Sequence, residues 1–391
     1  MKERNSLFII TVLKKIIEVY FDTFFVLYFF QVANYEVLPL AKYYILVYLF
    51  TGIGFFIIRK AMKNNQKIPY FRIGIALQAI YVSAIMLLKE DLINHIISVG
   101  IIKGMADGFY YFPKNILDSE KVSNTDRQKY NGIISTIQKI IGIVVPIGLG
   151  VILTFVDYIT VGKFFFLLHI LMFLFSFGIK EEYKLSGKIE LKKYFALVKT
   201  NKEVKYATLI PFLSGLTYSS GVMGTIITLL KINNFKTNLN LGFVDSICAG
   251  ISLIICVLYA LKIKKKQFNV LLIFCGIGSF AALFLIGMFP AMWSLIIYLL
   301  VRFSFIQLLN MITDHTVANF SNIKELKTSL KEEFYLVRDM SFSVSRVSGY
   351  VILLVICLVW GMDYISYILI LPAISLFIET ILIRKLLDKI E

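Results

Sequence analysis

Twelve apolar stretches, each about as long as a bilayer is thick, follow one another along the chain, and basic residues crowd into every second gap between them. Roughly 20 apolar residues of helix cover about 30 Å of hydrocarbon. The stretches fall at 8–32, 38–58, 70–88, 92–112, 131–155, 159–179, 206–230, 240–261, 269–289, 291–313, 334–359 and 363–383. In lipid an open chain must satisfy its backbone internally, so each stretch is expected to be a helix. Composition agrees: 58% of the 391 residues are apolar and 34 are Phe, too many to hide from water in a core of this size. The prediction is an all-α integral membrane protein.

Orientation follows from the cations. The gaps assigned to the cytoplasm, with their edges, hold 29 of the 41 Lys and Arg residues, whereas the opposite gaps hold only Lys42, Lys89, Lys163, Lys231 and Lys236. Positive charge stays inside, which puts both termini in the cytoplasm of a multi-pass cell-membrane protein. Trp293 and Trp360 then fall at the outer interface, where indole rings prefer to sit. The net charge of +16 reads as topology plus attraction to anionic headgroups, not as nucleic-acid binding.

Several chemistries find no support. Cys248, Cys256, Cys275 and Cys357 all lie inside expected spans without metal-site or disulfide spacing, which makes them core residues. Asp314-His315 lacks companion ligands, and His95 and His169 are expected to be structural. There is no Gly-rich phosphate loop and no Ser/His/Asp or Cys/His grouping, so neither an enzyme nor a cofactor is expected. The first stretch, interrupted by Lys14, Lys15, Glu18 and Asp22 and without a small-residue cleavage site, is expected to remain as the first helix.

The longest polar gap, 181–204, divides the chain into an N-terminal bundle (1–180) and a C-terminal bundle (205–391), joined by a cytoplasmic linker. A faint internal repeat supports two halves: Lys139 precedes Gly142 by three residues, as Arg346 precedes Gly349. Parallel repeats about an axis normal to the membrane are a common transporter plan.

With six plus six helices, cytoplasmic termini and a long central loop, the chain resembles the major facilitator superfamily over essentially its whole length. The loop after the second stretch has that family's Gly54 and basic pair Arg59-Lys60, but Ile58 stands where its Asp is expected. Gly142, Pro146, Gly148 and Gly150 look loosely like the family's Gly-Pro signature in the fifth helix. The resemblance implies two six-helix bundles related by pseudo-two-fold symmetry that rock about a central site lined by helices 1, 4, 7 and 10. It also implies gating roles for Gly54, Arg59 and Lys60, and Arg338 and Asp339 are gating candidates near the cytoplasmic end of the eleventh helix.

The chemistry is sought among ionisable residues inside spans, because a mid-bilayer charge costs at least about 2.5–3.5 kcal/mol and normally faces water or a partner. Lys14, Glu18 and Asp22 stand at i, i+4 and i+8, on one stripe of a regular helix. Lys103 and Asp107 repeat the spacing beside Gly104, Gly108 and Tyr110. Glu18, Asp22 and Asp107 are the proton-coupling candidates; the alternatives are a Lys14–Glu18 pair and a Lys103–Asp107 salt bridge on a glycine-packed face. Substrate-binding candidates are Arg302, Arg346, Lys103, Lys139, Tyr110, Tyr218, Gln307 and Asn310; alternatively, the arginines pair with embedded acids. Thr217, Tyr218, Ser219, Ser220 and Gly221 form an uncharged polar patch, and Asp245 and Glu379, near span ends, are expected to be solvated.

The expected function is proton-coupled secondary transport of a small anionic, zwitterionic or amphipathic solute by a monomer in the lipid bilayer. Alternatives are a lipid flippase or drug exporter on the same fold, a membrane transferase, and a non-transporting receptor or scaffold.

Overall fold

The computed structural model describes residues 2–62, 67–121, 124–180, 190–231, 238–263, 267–320, 326 and 330–390. Among these residues there is no strand. The helices are α1 (Lys2–Val19), α2 (Phe25–Val32), α3 (Val37–Ala61), α4 (Lys67–Leu88), α5 (Ile96–Lys121), α6 (Asn124–Phe155), α7 (Tyr158–Ser176) and α8 (Leu191–Thr200). They continue as α9 (Lys202–Lys231), α10 (Asn238–Leu261), α11 (Phe268–Met288), α12 (Met292–Val301), α13 (Gln307–Phe320), α14 (Lys331–Val359) and α15 (Ile370–Ile390). Wider π turns, Tyr20–Phe24 and Arg302–Ile306, join α1 to α2 and α12 to α13. Tighter 3₁₀ segments, Lys89–His95 and Met362–Leu369, precede α5 and α15.

Among the described residues, eight helical runs are long and apolar enough to cross a membrane. One of them, Lys67–Asp118, contains both α4 and α5. These fold back on each other as an antiparallel pair, with Gln78 bonded to Asp107 and the Gly74 backbone packed on Phe109. The apolar residues do not stop at the core. Val144, Ile254 and Phe274 are each more than 60% exposed in mid-helix, as expected when the surrounding solvent is hydrocarbon. The chain is a multi-pass membrane protein.

Two compact units emerge: Met1–Gly187 with Asn234–Leu253, and Lys188–Asn233 with Ile254–Glu391, so the dividing line falls within α10. In the first unit α5 packs between α3 and α4, while α7 packs on α4 and α1. Glycine makes the α3–α5 approach possible. A Cβ on Gly108 would lie 2.9 Å from the Gly54 Cα, and one on Gly104 would run into the Val47 carbonyl. In the second unit α9 packs against α14 and α15, and α15 against α11.

Caps outside the spans follow ordinary rules. Asp157 begins α7, its Oδ1 accepting the Ile159 and Thr160 amides at 2.9 and 2.8 Å and its Oδ2 the Thr160 hydroxyl at 2.8 Å. These bonds, chiefly those from Thr160, hold its carboxyl below the usual range. Arg72 donates to the Ser176 carbonyl at the other end of α7 and lies 4.2 Å from the Phe177 ring. Gly361 ends α14 at φ 88°, a conformation that favours glycine.

The gap 181–204 is not wholly irregular. Residues 181–189, with Lys188, lie outside the described ones, but α8 fills 191–200. Tyr194 anchors α8, wholly buried and bonded to Thr208 at 2.7 Å, and burial pushes its phenol up to about 12.

Candidate functional site

The first unit gathers most of the embedded charge. Lys103 sits 2.8 Å from Asp107, one turn along α5, and Gln78 of α4 donates to the same carboxylate oxygen at 3.3 Å. The Lys103 ammonium also lies 5.5 Å from the Tyr81 ring, and Tyr81 shares a 2.6 Å hydrogen bond with Tyr43 of α3. Three helices thus fix one ion pair. Its side chains are only 17% and 14% exposed, so desolvation and mutual attraction are both large.

Glu18 on α1 accepts a 2.5 Å hydrogen bond from Tyr111 and stands 3.8 Å from Lys15. Its cation is therefore Lys15 and not Lys14. Lys14 is 5% exposed and lies over the rings of Tyr110 and Tyr111, 5.2 and 5.5 Å from their centroids, so it rests on aromatic faces. Tyr110 itself is fully buried, its ring 5.2 Å from that of Phe71 and tilted against it. The stripe expected for Lys14, Glu18 and Asp22 is not a regular helix throughout, because Asp22 lies within the π turn Tyr20–Phe24. Along it Lys14 is buried, Glu18 half-buried and Asp22 exposed. Asp22 remains in the field of Glu18, Lys15, Lys103 and Lys14.

The gating candidates separate. Gly54 is a packing contact of α3 against Gly108. Arg59 is 1% exposed at the end of α3, while its neighbour Lys60 is exposed. Arg338 and Asp339 pair with each other, at 2.7 and 2.8 Å, and Arg338 also lies 4.7 Å from the Tyr335 ring.

In the second unit the cations rest on rings. Arg302 begins the π turn and lies 5.0 Å from Phe303 and 5.9 Å from Tyr298. Arg346 on α14 lies 5.4 Å from Tyr218 and 5.7 Å from Phe342, two rings that meet edge to face. The structure thereby brings together Arg346 and Tyr218, which are 128 positions apart in sequence. Gln307 reaches the Cys256 sulfur at 4.0 Å, and Asn310 and Lys139 are half-buried. The hydroxyls of Thr217 and Ser219 bond carbonyls of their own helix, whereas Ser220, Gly221, Asp245 and His315 have side chains outside the described ones.

One expectation is overturned. Glu379 is 5% exposed, because α15 continues to Ile390 and leaves it well inside the helix rather than at a solvated end. Gln78, Tyr81 and Tyr111 were not anticipated; the lone amide of Gln78 amid apolar residues was the available signal. His169 bonds the Phe165 carbonyl at 2.8 Å, as a structural histidine does. Among the described residues no group of His, Cys, Asp or Glu could hold a metal ion.

The fold is that of solved membrane transporters. The chain is similar to the nucleoside transporter NupG, solved as a mutant, with a TM-score of 0.71 at 13% identity, covering 98% of this chain and 99% of that one. It is similar to the human organic anion transporter MFSD10 (TETRAN), with a TM-score of 0.69 at 11% identity over 98% and 99% of the two chains. A bacterial homologue of the iron transporter ferroportin, outward-facing with soaked iron, gives 0.69 at 15% identity over 98% of each. These solved neighbours are transporters, not enzymes. No protein-family model matches the chain. It is 23% identical to the uncharacterized protein YqgE of Bacillus subtilis (strain 168) over 265 residues, 67% of this chain. It is 24% identical over 115 residues, 29% of this chain, to an uncharacterized protein in the sodM 3' region of Geobacillus stearothermophilus. The matches span 61% and 54% of those relatives' lengths.

Proposed function

We propose that the chain is a proton-coupled secondary transporter working by alternating access, with twelve membrane-spanning helices in two six-helix bundles and both termini in the cytoplasm of the cell membrane. The similarity of fold to solved transporters supports transport, and the cation asymmetry of the gaps supports the topology. A single observation carries proton coupling. Asp22 is an acid in an apolar stretch, densely surrounded by protein yet open to solvent, in the field of three lysines and of Glu18. Embedded acids that reach water are suited to loading and releasing protons. Glu18 and Asp107, tied to Tyr111 and Lys103, are the further members of the relay.

The substrate class follows from the second unit. Arg302 and Arg346 are half-buried on aromatic faces, which leaves planar cations suited to a carboxylate or phosphate beside apolar surface. We read the cargo as a small organic anion or zwitterion with an apolar part. The organic anion carried by MFSD10 is in keeping with this. An amphipathic drug or lipid is the second reading, favoured by the exposed Tyr218 ring beside Arg346.

Reconstitution into vesicles with an imposed pH gradient, comparing organic anions with cationic amphiphiles, tests the proposal. Gradient-driven accumulation of an anion is expected, and accumulation indifferent to the gradient would refute proton coupling. Single cysteines at Lys192 and Trp360 are expected to react from opposite sides of the membrane; labelling from one side would break the topology.

A further inference from the structure

The second unit buries an acid deep in a membrane-length run that the preceding reading does not use. Glu379, on α15, is 5% exposed and lies within the membrane-length run Asp363–Leu387. Its Oε1 accepts from Ser214 of α9 at 2.5 Å and faces Thr313 of α13 at 3.5 Å. Thr313 has one hydroxyl hydrogen, divided between the Leu309 carbonyl at 2.9 Å and the acid at 3.5 Å, so it holds the acid weakly. On the α11 side the packing is closed: a Cβ on Gly276 would lie 2.8 Å from the hydroxyl of Thr380.

The surroundings supply no counter-charge. The charged group of α13 in its field is another acid, Asp314. From α9 comes Tyr206, whose ring has the Lys385 ammonium 5.7 Å away; from α11 comes the buried thiol of Cys275; and the acid of the 3₁₀ segment, Asp363, is exposed. Among the described residues no cation stands within ion-pair distance of Glu379. A bare carboxylate here would be a buried charge without a partner, which folded proteins avoid by neutralising the group. The Ser214–Glu379 separation also discriminates between ligands. Two oxygens sharing a hard metal ion each stand about 2.0–2.6 Å from it and are driven apart, whereas 2.5 Å is the separation of two oxygens joined directly by a hydrogen bond.

We propose that Glu379 is a proton-binding site of the second unit, its carboxyl carrying a proton of its own while Oε1 accepts from the Ser214 hydroxyl. Because Ser214, Thr313 and Glu379 sit on three different helices, a displacement of α9 against α15 removes that hydrogen bond and changes how firmly the carboxyl holds its proton. Infrared difference spectra of the full-length protein in lipid nanodiscs test the assignment without a transport substrate. Wild type minus Glu379→Gln in neutral buffer is expected to contain the carbonyl stretch of a protonated carboxyl, shifted in heavy water and lost in the variant. No such band in the difference would overturn the proposal. If Glu379→Gln does not fold, Ser214→Ala gives a second reading. The band should persist and move to higher frequency as the hydrogen bond to its carbonyl oxygen is lost, and an unmoved band would overturn the Ser214 contact with the protonated carboxyl. The result is independent of transport, so its failure leaves the role of Asp22 standing, and loss of gradient-driven accumulation leaves this site standing.

Discussion

The two units weight embedded charge differently. In the first, most acids and bases meet, Lys103 with Asp107 and Lys15 with Glu18, while Lys14 lies over tyrosine rings. In the second, Arg338 pairs with Asp339, but Arg302 and Arg346 lie on aromatic faces and Glu379 is held by hydroxyls. Mutual neutralisation makes a unit tolerant of embedded charge but sensitive to losing one partner. A guanidinium on a ring, as that of Arg302, keeps the planar fork that suits an anion. On the proposed function, the contrast assigns the Asp22 relay to the first unit and anion recognition to the second, which would also hold the separate proton site at Glu379.

The largest test of that contrast is Asp22→Asn. An amide resembles the protonated acid but cannot release a proton, so gradient-driven accumulation in vesicles should vanish while exchange of the same solute persists. Undiminished uphill transport would remove Asp22 from the mechanism. Next in size is Lys103→Met, which leaves the half-buried Asp107 with Gln78 alone. Breaking a buried pair from one side costs up to about 3 kcal/mol at this degree of exposure, and Lys103→Met with Asp107→Leu should recover most of it. Thermal melts in detergent measure both, and a single variant as stable as wild type would mean that the pair contributes nothing.

These two tests lean on features of unequal legibility. The helices, their approximate limits and the Lys103–Asp107 pair could be read directly, because helical spacing fixes which residues of one helix meet. Glu18 with Tyr111 and Arg346 with Tyr218 could not, since each joins segments far apart in sequence. The π turn that contains Asp22 has no composition of its own in Tyr20–Phe24 and follows from packing. Glu379 was misjudged for a simpler reason: apolarity fades before α15 ends, so a span limit drawn from hydropathy falls short of the helix.

The second unit is tested by Arg302→Gln. If its guanidinium binds an anionic group, affinity for the transported anion should fall by about 1.5–3 kcal/mol, the range for hydrogen bonds to charged groups. Arg302→Lys should recover part of that, keeping charge without the planar fork. Binding titrations decide, and an Arg302→Gln protein with unchanged affinity would move anion recognition to Arg346. Of similar or smaller size is the effect of disturbing the scaffold under the first unit's ion pair. Gly104→Leu must push against Phe50 and the Thr51 amide and should cost about 1–3 kcal/mol. Gly148→Ala, with nothing within 4 Å of the new methyl, should be neutral or stabilise by up to about 1 kcal/mol through helix propensity.

The smallest effect calibrates the others. Asp157 is a carboxylate of the first unit outside the spans, and its partners are two backbone amides and a hydroxyl instead of a cation. Asp157→Ala should cost about 0.5–1 kcal/mol, as lost exposed caps do. Its pH dependence has a definite sign. The folded value is depressed, so the stabilisation is present above the unfolded carboxylate range and is lost as pH falls through the folded value. The gap between wild type and Asp157→Ala in thermal melts should therefore close on acidification. The Lys103–Asp107 pair lies in a protected setting, so its much larger gap should outlast the cap's in added salt, which screens exposed charges first. If salt erodes the two gaps together, the first unit's embedded charges are as solvated as its surface, and the division of labour between the units fails.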